Sequence, residues 1–182
     1  MKNIGMLGKL LKKYRKKEDG TTAIEFSLLA IPYLMLSLGI IELSIMYTSA
    51  SLIEGATSSA SRMIRTGQLQ QNGGDPETLF REGLCEYAVV LVNCNDIVVE
   101  AIQMDSFADF DSYAPVYDDD GNLVPQGFNA GGSNDRVLIR TAYRYQMMTP
   151  FIGTLMAGPG AARLFMSTVV LQTEPYDFQG AG

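Results

Sequence analysis

The sequence predicts an α+β protein in which a long N-terminal transmembrane helix continues outside the membrane and packs on a small antiparallel sheet. Three observations predict this class: a basic end followed by an apolar run, helical spacing of apolar residues after that run, and three strand patterns without regular strand–helix alternation. The 182 residues suffice for one ordinary domain, or for a smaller domain with an anchor.

Charge is divided unevenly along the chain, although the formal net charge is only −6. Residues 1–20 hold seven Lys and Arg against two acids, which gives +5, while the remaining 162 residues hold seven Arg and 18 acids, which gives −11. A basic end, an apolar run and a long acidic portion are typical of a chain that crosses a membrane once. This asymmetry predicts a cytoplasmic N-terminus and a periplasmic domain beyond a bacterial inner membrane.

The apolar run covers residues 26–47 and is interrupted only by Glu42. A helix of this length spans about 33 Å, close to a bilayer core of about 30 Å. One alternative is a buried core helix, although such helices are seldom this long and this uniformly apolar. A cleaved secretory signal is a second alternative because small residues follow the run, although the apolar region of a signal is shorter.

Composition excludes several kinds of active site. The chain has no His, which rules out a Ser-His-Asp triad, a Cys-His dyad and a His-ligated metal. Its two Cys cannot build a four-thiolate zinc site or hold an iron–sulfur cluster. The acidic portion lacks a stripe of basic and aromatic residues, which argues against a nucleic-acid partner. We expect no catalytic residues, no metal and no cofactor.

An acid stands where the basic end meets the apolar run. Gly20 precedes the run, Glu25 follows five positions later, and the aromatic Phe26 is next to it. A carboxylate at the entrance of a membrane helix is expensive and usually functional. The alternative is that Glu25 only favours the helix N-terminus electrostatically and reaches the cytoplasmic interface.

At this junction the chain resembles the TadE-like pseudopilins, or minor pilins, of Tad (Flp) type IV pilus systems. Prepilins of this group are cut after a Gly by a membrane prepilin peptidase, and their mature chains carry Glu at position five and an aromatic residue at position six. The resemblance implies cleavage between Gly20 and Thr21 and assigns pilin assembly to Glu25 and Phe26. Glu42 joins them because it matches the Gly-x-x-Glu of the family's stem.

Two later segments extend the resemblance. Residues 61–67 resemble the Ala-Arg-rich exit of the stem, and residues 173–176 resemble a terminal Asn-Glu-Pro-aromatic signature, with Thr for Asn. The resemblance implies a pilin-like fold and a structural role without catalysis. It implies as partners the inner-membrane lipids, other pilins or pseudopilins of the Tad system, and the prepilin peptidase. The major Flp pilin is a very short chain, so a mature chain of 162 residues looks like a minor component.

The sequence thus divides into a basic leader over residues 1–20, a transmembrane and stem helix over residues 21–66, and an α+β domain over residues 67–182. Small residues at 48–61 favour close approach of a helix to its neighbours, with a flexible Ser/Thr linker as the alternative. Residues 67–75 have the composition of a loop.

Within the outside domain, residues 76–91 predict a helix because an Asp-Pro-Glu start precedes apolar residues at helical spacing. A short helix is predicted over residues 150–157. Strands are predicted over residues 96–104, 136–147 and 163–173. The second strand is the clearest, since Val137, Ile139, Thr141, Tyr143 and Tyr145 alternate with Leu138, Arg140, Ala142 and Arg144.

Cys85 and Cys94 are nine positions apart. Outside the membrane a disulfide is the expected state, and it would join the end of the helix at 76–91 to the start of the first strand. The alternative is a pair of free thiols in a cytosolic redox site, but that needs a C-x-x-C-like spacing, which is absent.

Residues 105–135 are rich in Gly and hold seven Asp but no basic residue. Carboxylate oxygens suit Ca²⁺, although the run Asp118-Asp119-Asp120-Gly121 does not fit the spacing of an EF-hand. We expect a solvated connection with a turn at Asp120-Gly121, and calcium binding stays open as an alternative.

The leading hypothesis is a structural minor pilin or pseudopilin-like assembly protein of a Tad/Flp pilus system, anchored by one transmembrane helix. One alternative is a single-pass membrane-anchored envelope binding domain unrelated to pili. Another is an enzyme whose Asp-rich segment holds a metal for hydrolysis.

Overall fold

The computed structural model describes residues 20–88 and 91–176, and the chain divides into two compact units, Met1–Ile41 and Glu42–Gly182. The basic leader predicted at residues 1–20 lies outside the described residues except for Gly20. Helix α1, Thr21–Arg65, begins in the first unit and ends in the second. We call residues 21–41 the anchor segment and residues 42–65 the stem.

The anchor segment exposes its apolar side chains, with Phe26 at 72% and Leu29 at 71%. Among the described residues, α1 is the one helix that is long and apolar enough to cross a membrane, and only 6% of its most apolar window is buried. A core helix of a soluble domain would be mostly buried, so that alternative is wrong. A secretory signal passes the same test of length and composition and is not excluded by it.

The second unit contains a three-stranded antiparallel sheet in the order β1-β2-β3, which confirms the α+β class with a long apolar N-terminal helix. We call its described part, residues 42–88 and 91–176, the sheet domain. After the stem its elements are α2 (Gln68–Gln71), α3 (Pro76–Ala88), β1 (Ile97–Met104), β2 (Arg136–Gln146), α4 (Pro150–Ala157) and β3 (Ala162–Gln172).

All three predicted strands are confirmed with shifts of about one residue at their ends, and α4 has the predicted bounds. Two details differ. The expected loop over residues 67–75 contains the short helix α2, and Leu91, the last residue of the helix predicted at 76–91, lies in a turn. Asp75 caps α3, because its carboxylate accepts hydrogen bonds from the Thr78 amide and hydroxyl, and these bonds lower the pKa of Asp75.

The stem packs on one face of the sheet through residues that recur every three or four positions, as a helix face requires. Many of these residues are small, which lets the helix backbone lie close to the strands. Their hydroxyls are satisfied within the helix, as where Thr57 donates to the Ile53 carbonyl at 2.7 Å. The alternative of a flexible linker over residues 48–61 is therefore wrong. The buried stem residues are Glu42, Met46, Ser49, Ile53, Ala56, Thr57, Ala60, Ser61 and Ile64.

The other face of the sheet is covered by residues 105–135, which we call the outer loop. Leu138 and Ala142 on that face are buried, as is Leu123 of the loop itself. The turn at Asp120-Gly121 is confirmed, since Gly121 has φ 77° and its amide bonds to the Asp118 carbonyl. Most residues of the loop are exposed, as expected for a solvated connection, but its backbone also bonds to charged side chains of the sheet, described below.

Candidate functional site

The predicted processing and assembly residues at the junction lie at the very start of α1. Gly20 is exposed and directly precedes Thr21, the first residue of α1, and none of the described residues lies within 4 Å of the position that a Cβ at Gly20 would take. Glu25 and Phe26 are exposed one turn later. Among the described residues no hydrogen bond or ion pair is found for the Glu25 carboxylate. Their geometry leaves all four residues accessible to an external partner.

Glu42, the third predicted assembly residue, has a different environment, since its residue is only 2% exposed. One carboxylate oxygen accepts the Tyr145 hydroxyl at 2.9 Å and the Met148 amide at 3.0 Å. The other accepts the Thr149 amide at 3.1 Å and the Thr149 hydroxyl at 2.8 Å. Each oxygen thus receives two neutral donors, which fills the acceptor positions of a carboxylate.

The end of β2 supplies the donors of this site, because the strand and the turn after it both direct donors at the Glu42 carboxylate. Tyr145 belongs to the strand face that packs on the stem, and the chain then turns so that two successive amides point at the same carboxylate. Burial, and then the hydrogen bond to Glu42, raise the pKa of Tyr145 to about 12. The phenol therefore stays protonated and remains a donor at physiological pH.

The far end of the stem is also bonded to the domain, through the segment that resembles the terminal signature. The Glu174 amide donates to the Arg65 carbonyl at 2.8 Å, and the two side chains lie 3.7 Å apart as an exposed ion pair. Thr173, which replaces the Asn of the signature, is buried and donates from its hydroxyl to the Gly132 carbonyl. The Asp135 amide in turn donates to the Thr173 hydroxyl at 2.9 Å. The two later segments of the resemblance, residues 61–67 and 173–176, thus meet in space although they are far apart in sequence.

The predicted disulfide between Cys85 and Cys94 is present, with Cα atoms 5.7 Å apart. Cys85 lies in α3, and Cys94 begins a single turn of 3-10 helix, Cys94–Asp96, that leads directly into β1. The bond therefore joins α3 to the edge strand, as the sequence predicts.

We expect Cys85 and Cys94 to be oxidised in the mature protein. Closing so short a loop stabilises the fold by about 2.5–3 kcal/mol through the entropy of the unfolded chain. Thiol alkylation before and after reduction measures this directly: the unreduced protein should take up no label. Labelling of both residues without reductant would contradict the prediction and the placement of the domain outside the cytoplasm.

The Asp-rich outer loop uses its carboxylates for its own turn. Asp118 accepts hydrogen bonds from the Asn122 side chain and amide and from the Asp120 amide, and the Asn122 side chain is the main reason that its pKa is lowered. Within residues 20–88 and 91–176, no three His, Cys, Asp or Glu side chains converge as metal ligands do.

A buried ion pair that sequence reasoning missed connects the outer loop to the sheet. Glu100 and Arg140 are register partners on β1 and β2, and the Arg140 Nη1 lies 2.6 Å from the Glu100 Oε1. The second guanidinium nitrogen donates to the Tyr113 carbonyl, and the other Glu100 oxygen accepts the Gln126 amide at 3.0 Å. The signal in the sequence was an acid in the middle of β1 and a base in the middle of β2.

A family model described as TadE-like protein matches residues 20–62. No curated protein and no solved structure matches the chain. The matched segment begins at Gly20 and contains Glu25, Phe26 and Glu42, together with the anchor segment and most of the stem. The match to the TadE-like family over residues 20–62 agrees with the resemblance inferred from the junction.

Proposed function

We propose that this protein is a structural minor pilin or pseudopilin-like assembly component of a Tad/Flp pilus system. In this proposal the anchor segment crosses the inner membrane once, the N-terminus is cytoplasmic and the sheet domain is periplasmic. The observation that carries the proposal is the TadE-like match, which covers the junction and the anchor segment. The disulfide supports the oxidising side of the membrane.

A structural role also agrees with the polar groups of the sheet domain. The buried carboxylates of Glu42 and Glu100 accept hydrogen bonds from their own chain, and Glu100 is also ion-paired with Arg140. These acids stabilise the fold instead of facing a substrate. The proposal assigns no catalysis and no cofactor to the chain. Its partners are the membrane, other pilins or pseudopilins, and the prepilin peptidase that would process it.

We expect cleavage between Gly20 and Thr21. The site directly precedes the helix and is exposed, and no side chain crowds Gly20. Intact mass spectrometry of the protein from cells with active prepilin peptidase should show loss of residues 1–20. Gly20→Ala should reduce processing mildly, while a bulky residue there should block it. A full-length chain in such cells would contradict the prediction.

We expect Glu25→Gln to weaken lateral pairing with other pilins while leaving membrane insertion and the sheet domain intact. Cleavage would create a positive amine at Thr21, and the carboxylate of a neighbouring pilin could receive it. An unpaired acid costs about 3 kcal/mol at the bilayer centre on insertion scales and less near the interface, so Glu25 favours a subunit that has a partner. Glutamine keeps the size of the side chain and removes its charge.

In vivo crosslinking between anchor segments, normalised to protein level, tests both the role of Glu25 and the proposed function. Glu54→Gln is the matched control, because Glu54 is an exposed acid on the same helix beyond the anchor segment. If Glu25→Gln crosslinks as well as the wild type does, Glu25 is only a helix-start residue. If the wild type crosslinks to no pilin, the alternative of an envelope binding domain unrelated to pili replaces the proposal.

A further inference from the structure

One apolar surface of the sheet domain is not covered by any of the described residues. Met148, Phe151 and Leu155 are 65%, 66% and 78% exposed, and we call them the apolar tip. Phe151 and Leu155 are four residues apart on α4, so they share one face of that helix. The opposite face is held against the domain: Ile152 is buried, and a Cβ at Gly153 would meet the Ala161 Cβ at 2.8 Å.

The apolar tip lies next to Glu42, the first residue of the stem. The Met148 and Thr149 amides both bond to the Glu42 carboxylate, and Glu42 directly follows Ile41 in the chain. The predicted apolar run continues to Tyr47, but Glu42 and Met46 are buried in the sheet domain, so the anchor segment is the part of α1 left to cross the bilayer. Its 21 residues span about 31 Å as a helix, close to a bilayer core of about 30 Å. If the anchor segment fills the bilayer core, Glu42 stands at its boundary, and α4 begins within hydrogen-bonding distance of that boundary.

The charge around the apolar tip also favours a position of the tip at the boundary of the bilayer. Residues 145–162 contain no Asp, Glu, Lys or Arg, and the charged residues that flank this stretch in sequence are Arg144 and Arg163. Arg144 donates to the Asp120 carbonyl and the Asn122 side chain of the outer loop, so Arg163 is the cation that flanks the tip itself. Arg163 is exposed and donates to the Met156 carbonyl at the end of α4, where it can reach lipid phosphates.

We propose that the apolar tip inserts into the interface of the same membrane that holds the anchor segment. Phe151 and Leu155 would enter the boundary between headgroups and acyl chains, with Arg163 at the phosphates. The sheet domain would then be fixed to the membrane at a second point besides α1. The inference rests on the membrane anchoring contained in the proposed function.

The chain contains no Trp, so a single introduced Trp reports its own surroundings. The full chain with Phe151→Trp or Leu155→Trp is reconstituted in phosphatidylcholine–phosphatidylglycerol vesicles, with and without lipid brominated near the headgroup end of its acyl chains. Brominated lipid should lower the emission of both variants about twofold, because an interfacial apolar face is buried about 5–10 Å into that boundary. The matched control is Phe110→Trp, a partly exposed Phe of the outer loop, whose emission should not change.

Each outcome separates the inference from the proposed function. Quenching of both tip variants but not of the control supports the inference. If the chain floats with the vesicles but neither tip variant is quenched, the inference is wrong and the anchoring stands. If the chain does not float with vesicles, the anchoring itself fails. If quenching of the tip Trp by brominated lipid instead weakens as the protein-to-lipid ratio rises, the tip contacts a second protein copy and the inference is overturned.

Discussion

Replacing Glu42 by alanine is expected to lower the free energy of unfolding of the sheet domain by about 3 kcal/mol. The substitution removes the acceptor of four hydrogen bonds and leaves the Tyr145 and Thr149 hydroxyls and two amides without that partner. Hydrogen bonds to a charged group contribute about 1.5–3 kcal/mol each but are not additive, so the total stays well below their sum. Urea unfolding of the full chain in detergent micelles, followed by the near-ultraviolet circular dichroism of its tyrosines, measures the change.

Variants that remove one donor at a time show how much each hydrogen bond to Glu42 contributes to the free energy of unfolding. Tyr145→Phe and Thr149→Val each remove one hydroxyl from the site and should each cost about 1–2 kcal/mol. Glu54→Ala, on the exposed side of the same helix, is the matched control and should stay within about 0.5 kcal/mol of wild type. The role assigned to Glu42 fails if Glu42→Ala destabilises the domain no more than Glu54→Ala does.

Arg140→Ala is expected to destabilise the sheet domain by about 3–5 kcal/mol, because it leaves Glu100 as an uncompensated buried charge. Glu100 is fully buried and Arg140 is 2% exposed, so water cannot replace the lost partner. The Tyr113 carbonyl also loses its bond to the guanidinium, which should loosen the outer loop. Urea unfolding gives the first effect, and hydrogen exchange of the outer-loop amides gives the second.

Two variants make this result specific to the ion pair. The double substitution Glu100→Leu with Arg140→Met removes both charges and should cost less than Arg140→Ala alone, since no unpaired charge remains. Arg144→Ala lies on the same strand at an exposed position and serves as the control. Equal losses in Arg140→Ala and Arg144→Ala would show that burial of the pair contributes nothing.

The secondary structure could be predicted because each element has a local cause. Strand β2 follows from its alternating residues, α3 from its Asp-Pro-Glu start, and α1 from an apolar run too long for a strand. Strand pairing has no such local signal. The alternation in β2 places Arg140 away from the stem, but only the register that sets it opposite Glu100 explains why it is buried.

The candidate site could be predicted only in part for the same reason. Glu42 stands out in the sequence as an acid in an apolar run, and the family resemblance drew attention to it. Its donors are neutral groups at the end of β2, and nothing local in residues 145–149 marks them as partners of a carboxylate. The apolar tip could not be predicted from the sequence either, because α4 is apolar on both faces. The packing of Gly153 against the domain shows which face is exposed.

The long sequence separation between Glu42 and its donors has a consequence for biosynthesis. Chains are made and exported from the N-terminus, so Glu42 leaves the membrane region well before its donors, which follow 103–107 residues later. Until then its carboxylate can be satisfied only by water or by lipid headgroups. In a chain truncated before Tyr145 the Glu42 carboxylate would never receive these donors, whereas a completed chain supplies them on folding. In the proposed placement, an unfinished subunit would therefore differ from a finished one in leaving the Glu42 carboxylate open to water and headgroups.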